Sequence, residues 1–170
     1  MSEAGSELPE SIPEGDLTAD LPRAFGPPPA RAVLRREPED FVVEEILGYS
    51  ATGEGEHAVV EIRKRNLNTH DVAERLARLA GVRQGDVGYA GRKDKLALTT
   101  QSFSVHLPGR QDPDWASLDD AGMTVIRAVR HNRKIRRGSL RGNRFTLRLR
   151  DVRGEREALA ARLARVAEAG

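Results

Sequence analysis

Between His57 and Lys64 the side chains alternate, with Ala58, Val60 and Ile62 on one face and Val59, Glu61 and Arg63 on the other. A period of two with one apolar face describes a strand that turns that face to a core. A few residues later the period changes. Val72, Leu76 and Leu79 recur at i, i+4 and i+7, Asn68 or Thr69 stands where an N-cap belongs, and Asp71 lies in the first turn, where the helix dipole favours an acid. Gly81 follows as a left-handed terminator, so the spacing predicts a helix over 69–80.

Further strands are read at Phe41–Val43 behind a Pro38-Glu39-Asp40 turn, and at Val87–Tyr89. Others fall at Thr99–Leu107 with Gln101, Phe103 and Val105 on one face, at Met123–Arg130, and at Phe145–Arg150 with Phe145, Leu147 and Leu149 on one side. A last helix over 155–168 places Leu159, Leu163 and Val166 on one face. Strands outnumber helices, and several connections are too short or too polar for helical crossovers. The expected class is α+β, with a mixed, mainly antiparallel sheet and helices on one face.

A chain of 170 residues with 38% hydrophobic content can bury one real core, and the absence of cysteine excludes disulfides and thiolate metal sites. No run of about 18 apolar residues occurs and no basic start precedes an apolar leader, so a soluble, cytoplasmic protein is expected, with no membrane partner. The net charge of +2 conceals a strong asymmetry. Met1–Pro22 carries six acids and no Lys or Arg, whereas Arg127–Arg153 carries eleven Lys or Arg against the single acid Asp151. A segregated basic stripe is the footprint of a polyanion partner, although such a run also suits a solvated surface. The first 30 residues, rich in Pro, Gly, Ser and acids and ending in Gly26-Pro27-Pro28-Pro29, are expected to be a disordered tail.

The stretch Gly88–Gln101 carries the chemistry. On composition alone its Gly-Arg-Lys-Asp-Lys core is a solvated turn. It is followed at once by an apolar, hydroxyl-rich strand, and charged loops at strand ends are where sites tend to be built. Asp94 stands among Arg92, Lys93 and Lys95, and nearby positive charge favours the ionised carboxylate, which suits a nucleophile or a salt-bridge anchor rather than a proton donor. No Gly-x-x-x-x-Gly-Lys-Ser/Thr pattern supports a phosphate-binding loop. His57 and His131 lack ligand spacing and are read as structural or RNA-contacting, and no metal site is expected.

Four stretches together resemble the TruD family of tRNA pseudouridine synthases. They are Pro38–Val43, then Gly53–His57 with Asn66–Thr69, then Ala90–Lys95 with Ala97, Thr99 and Gln101, and finally His131–Phe145. The resemblance covers the chain from about Val33 and implies a cofactor-free isomerase that converts a tRNA uridine, position 13 in bacteria, to pseudouridine. It places Asp94 as the essential aspartate, and Asn143 as the asparagine that orients the aspartate or the base edge. Arg35 stands where family members have a lysine near the site, with the charge kept and the geometry changed. Phe145 is a candidate platform for the flipped base, and Arg92 and Lys93 are candidates for phosphate contact.

The final helix ends with its apolar face formed, and a family Phe-Gly-x-Gln-Arg-Phe-Gly motif is not found. Residues 31–170 are therefore expected to be the N-terminal portion of the synthase catalytic domain, acting as a monomer and carrying little activity alone. The alternative is a non-catalytic RNA-binding module that uses residues 127–153.

Overall fold

The computed structural model describes residues 21–169, so the acidic segment 1–20 lies outside the described residues. In chain order the elements are β1 (Ala30–Val33), β2 (Phe41–Leu47), β3 (His57–Arg65), α1 (Thr69–Ala80), β4 (Val87–Tyr89), β5 (Leu98–His106), β6 (Met123–His131), β7 (Leu140–Leu147), β8 (Arg150–Gly154) and α2 (Arg156–Ala169). The class is α+β, as the alternation of periods predicts. Six strands form one sheet in the order β6-β3-β5-β2-β7, with β4 added to β5, while β1 and β8 make a separate two-stranded ladder.

Within the large sheet only β2 and β5 run parallel; β3 is antiparallel to β5 and β6, and β2 to β7. A parallel pair needs a long crossover, and here the connection from β2 to β5 contains β3, α1 and β4. The Asp94 loop is the last leg of that crossover.

α1 forms because its ends are satisfied and its apolar stripe has somewhere to go. Asp71 accepts from the Asn68 N–H (3.3 Å), and Gly81, at φ +60°, closes the helix with its N–H on the Ala77 and Arg78 carbonyls. Val72, Ala73, Leu76, Ala77 and Ala80 are buried against Ala58, Val60 and Ile62 of β3 and Phe103 and Val105 of β5, with Trp115 and Met123 closing the cluster.

Two compact units are present: Ala32–Arg153, which holds the large sheet and α1, and the two segments that flank it. In the second unit Arg162 donates to the Gly26 and Pro27 carbonyls, and a Cβ on Gly154 would stand 2.4 Å from the Pro29 carbonyl oxygen. At φ +139° that position is open to glycine and strained for other residues.

One expectation needs correction. The alternation at Phe145–Arg150 predicts a single strand leading to the last helix, whereas β7 already starts at Leu140 and a separate strand, β8, begins at Arg150. Pairing with β2 over Phe41–Leu47 extends β7 back through Leu140–Arg144, whose Arg and Gly content hides a strand.

Asp40 ends the turn before β2 fully buried, and Arg150 reaches it with Nε (2.7 Å) and Nη2 (2.9 Å). The Arg150 guanidinium holds this carboxyl below its ordinary value near 3.8. A carboxyl depressed by folding stabilises above its ordinary pKa, and that contribution is lost as pH falls through the lowered value. Unfolding free energy is therefore expected to drop below about pH 4, and Arg150→Met is expected to flatten that part of the profile, as measured by urea unfolding across pH. In the main core, Phe103→Ala is expected to lower stability by about 3–5 kcal/mol by the same measurement, whereas Leu96→Ala, at an exposed position, stays within about 0.5 kcal/mol.

Candidate active site

The loop from Ala90 to Ala97 has no helix or strand of its own, so its backbone groups must be met by other elements. Four of them are met by four different neighbours. The Ala90 carbonyl accepts from the Gly138 N–H (2.8 Å), and the Gly91 carbonyl accepts from Gln101 Nε2 on β5 (2.8 Å). Gln101 Oε1 accepts from the Thr69 hydroxyl at the start of α1 (3.0 Å), and that same hydroxyl accepts from the Lys93 N–H (2.9 Å). The Asp94 carbonyl accepts from Lys64 Nζ on β3 (2.8 Å), which also donates to the Leu67 carbonyl (2.7 Å). Close packing sets the entry to the loop: a Cβ on Gly88 would lie 2.2 Å from the Ile135 carbonyl oxygen.

Held in this way, Asp94 presents a half-exposed carboxylate whose Oδ1 lies 3.8 Å from Arg35 Nη1. Arg35 takes the left-handed region at φ +59°, a backbone state that costs a non-glycine residue on the order of 1 kcal/mol or more. Its guanidinium lies over the Phe41 ring, 3.7 Å from the centroid. Phe41 meets Phe145 edge to face at 5.9 Å, and Phe145 is 55% exposed at the head of the row. Phe145 pairs with Val43 and Asn143 with Glu45 across β2 and β7. The carboxylate, the cation and the two rings are thus linked by consecutive contacts. The buried Asn143 Oδ1 has no hydrogen-bond partner among the described residues.

The expected cation cluster around Asp94 is reorganised. Lys93 does not face outward: its side chain is 6% exposed, and Nζ lies 3.1 Å from Oε2 of Glu45, itself 1% exposed. The pair is close enough for an ion contact but not aligned for a hydrogen bond, since Glu45 Oε2 has none among the described residues, while Glu45 Oε1 accepts from the Ser102 N–H (3.1 Å). The reading of Lys93 as a phosphate contact is therefore corrected, because the Thr69 hydroxyl fixes its backbone and Glu45 takes its ammonium. Arg92 and Lys95 are exposed. The cation that meets Asp94 is Arg35, which comes from a distant stretch of sequence.

The sequence reading gave no site role to Glu45 or Lys64, and it placed Thr69 and Gln101 in the matched stretches without their part in anchoring the loop. Lys64 carried a readable signal, since it continues the buried phase of Ala58, Val60 and Ile62. Burial lowers its pKa from 10.5 to about 8, with Lys93 adding to the fall and the Asp94 and Asp71 carboxylates opposing it. His131 is buried and stacks on Tyr49 at 5.1 Å, while His57 stacks on His106 at 4.6 Å.

The site thus sets a half-exposed carboxylate on a braced loop, next to an arginine and, through Phe41, an exposed aromatic ring. Comparison with known proteins names the class. A family model described as tRNA pseudouridine synthase D (TruD) matches residues 24–170. A protein of Methylococcus capsulatus named tRNA pseudouridine synthase D is 54% identical over 151 residues, covering 89% of this chain and 43% of that protein. Namesakes from Nitrosococcus oceani and Pseudomonas aeruginosa are each 49% identical, with 92% of this chain covered and 45% and 44% of theirs. A crystal structure from Methanosarcina mazei, provisionally named tRNA pseudouridine synthase D, superimposes with a TM-score of 0.66 at 32% identity, over 81% of this chain and 31% of that one. The fold is one shared with a structure named for the pseudouridine synthase class. Within that class the chain belongs to the TruD family, and it spans less than half the length of these relatives.

Removing one member of a buried ion pair leaves the other charge uncompensated. Lys93→Met is expected to cost about 3–5 kcal/mol in urea unfolding, and adding Glu45→Gln to restore much of that loss; an outward-facing Lys93 would give neither effect.

Proposed function

We propose that this chain supplies the catalytic carboxylate of an enzyme that isomerises uridine to pseudouridine in tRNA, with uridine 13 as the target. The single observation that carries the reading is Asp94, braced by main-chain and side-chain contacts and set 3.8 Å from Arg35. The reaction breaks the bond between C1′ and N1 and forms one between C1′ and C5; C5 gives up its proton to solvent and N1 takes one up, so the product is an isomer. It leaves the oxidation level of the nucleotide unchanged. What it requires from the protein is a fixed anion at the sugar–base bond and a surface on which the detached uracil turns.

Neighbouring groups fit those tasks. The exposed Phe145 ring offers an aromatic face to a base taken out of the RNA stack. The unpartnered Asn143 Oδ1 is an acceptor suited to the uracil N3–H, and a buried acceptor left unmet costs about 1–3 kcal/mol until such a donor arrives. Arg35 and the exposed Arg92 bring positive charge to the same rim, where the phosphates flanking the target nucleotide would pass.

Asp94→Asn is expected to abolish tritium release from tRNA carrying 5-tritiated uridine, with tRNA binding retained. The measurement is made in a polypeptide of the relatives' length that contains these residues. Unchanged release ends the proposal. Binding that weakens steeply with salt, with no altered nucleotide in the RNA, would instead favour an RNA-binding module built on residues 127–153.

A further inference from the structure

Lys64 is 1% exposed and carries a full side chain into the face of the sheet covered by α1. It stands between Thr99 on β5 and Met123 on β6, in register with both. A methionine or leucine there would fill similar volume with no charge to desolvate, and replacing buried charges by hydrophobic side chains is often neutral or stabilising. Packing alone therefore does not account for an ammonium. Its hydrogen bonds do. The two carbonyls it meets, Leu67 and Asp94, belong to segments outside helix and strand, and lack ladder partners of their own.

The three side-chain anchors of the loop are not equivalent. Gln101 holds Gly91, and Thr69 holds the Lys93 N–H, but among the described residues Lys64 alone grips the peptide of Asp94 itself. We propose that Lys64 is a positioning residue for catalysis: its ammonium, buried under the loop, fixes the Asp94 carbonyl and thereby sets where the Asp94 carboxylate stands. This rests on the reading of Asp94 as the essential carboxylate. Lys64 reaches no substrate and acts through Asp94.

The charge state supplies a signature. The charged groups that bear on the ammonium are Asp94 and Lys93 on the loop and Asp71 in the first turn of α1; its strand neighbours Thr99 and Met123 are uncharged. With a pKa of about 8, the ammonium becomes an amine just above neutrality, and its bond to the Asp94 carbonyl loses the charge assistance that made it strong. Global stability moves the other way. The folded state releases this proton below the ordinary value of 10.5, so from about pH 8 to 10.5 the unfolded chain binds more protons and the contribution of Lys64 to stability rises with pH. A loosening loop on a protein that is not losing stability at this residue is a pattern that general alkaline unfolding does not produce.

The test is a pH titration of the nitrogen-15-labelled chain followed by NMR, with turnover measured in a polypeptide of the relatives' length. The Asp94 and Lys95 amide signals are expected to titrate with a midpoint near 8, while the Val60 and Phe103 amides stay in place. In Lys64→Met that titration disappears, kcat falls about 10- to 100-fold with KM nearly unchanged, and the alkaline fall in kcat is lost. Lys64→Arg, which keeps its charge throughout, is expected to recover part of kcat without the alkaline fall. A methionine variant with the wild-type Asp94 amide signal and wild-type kcat would overturn the proposal. Should that variant fail to fold, the wild-type titration decides, and an Asp94 amide without inflection between about pH 7 and 9 overturns it. Turnover that survives Asp94→Asn would instead overturn the proposed function, a result separate from the amide titration.

Discussion

The packing of α1 across β3 and β5 is the constraint on which the site rests. It buries Val60, Ile62, Leu76 and Phe103 completely, and those contacts bring the first turn of α1 and the end of β3 to the place where the Asp94 loop must pass. Thr69 and Lys64 lie at the boundary between this apolar cluster and the loop. Each gives its polar atoms to the loop: the Thr69 hydroxyl bridges Gln101 and Lys93, and the Lys64 ammonium bridges Leu67 and Asp94. The loop has no helix or strand of its own, yet its position is inherited from the buried apolar cluster beside it.

Electrostatics in the site divides into two layers. Beneath the surface, Lys93 and Glu45 compensate each other, and Lys64 is stabilised by carbonyl oxygens. At the surface, Asp94 faces Arg35, whose guanidinium is already seated on Phe41. An arginine stacked on a ring keeps a planar, permanently charged group in a defined place, which a flexible ammonium does less well. The left-handed backbone at Arg35 is one cost of bringing that group back toward the sheet.

Much of this was legible in the residues. The 3.6-residue stripe and the glycine stop delimited α1, and the two-residue alternation picked out β3 and the inner face of β5, because one-sided burial writes its period directly into composition. The start of β7 was not legible, since Leu140–Arg144 is extended by its pairing with β2 rather than by its own preferences. The motif resemblance pointed to Asp94, Asn143, Phe145 and Arg35. The direction of Lys93 was hidden, because three adjacent cations look alike in sequence and only a hydroxyl on a separate helix and a glutamate on a separate strand distinguish one of them. Lys64 was visible as a charge in the buried phase of a strand, but which carbonyls it would meet depends on how two irregular segments are folded over it.

The single parallel pairing in an otherwise antiparallel sheet has a kinetic side. β2 and β5 come together only after β3, α1 and β4 have been laid down between them, and β7 then returns to β2 from about a hundred residues away. Contacts so distant along the chain form slowly, because loop closure must precede any gain from pairing. The aspartate and the aromatic row sit on opposite sides of that late seam. A half-assembled molecule therefore holds the aspartate and the aromatic row on separate pieces, and they meet only when β2 and β7 have joined the rest of the sheet.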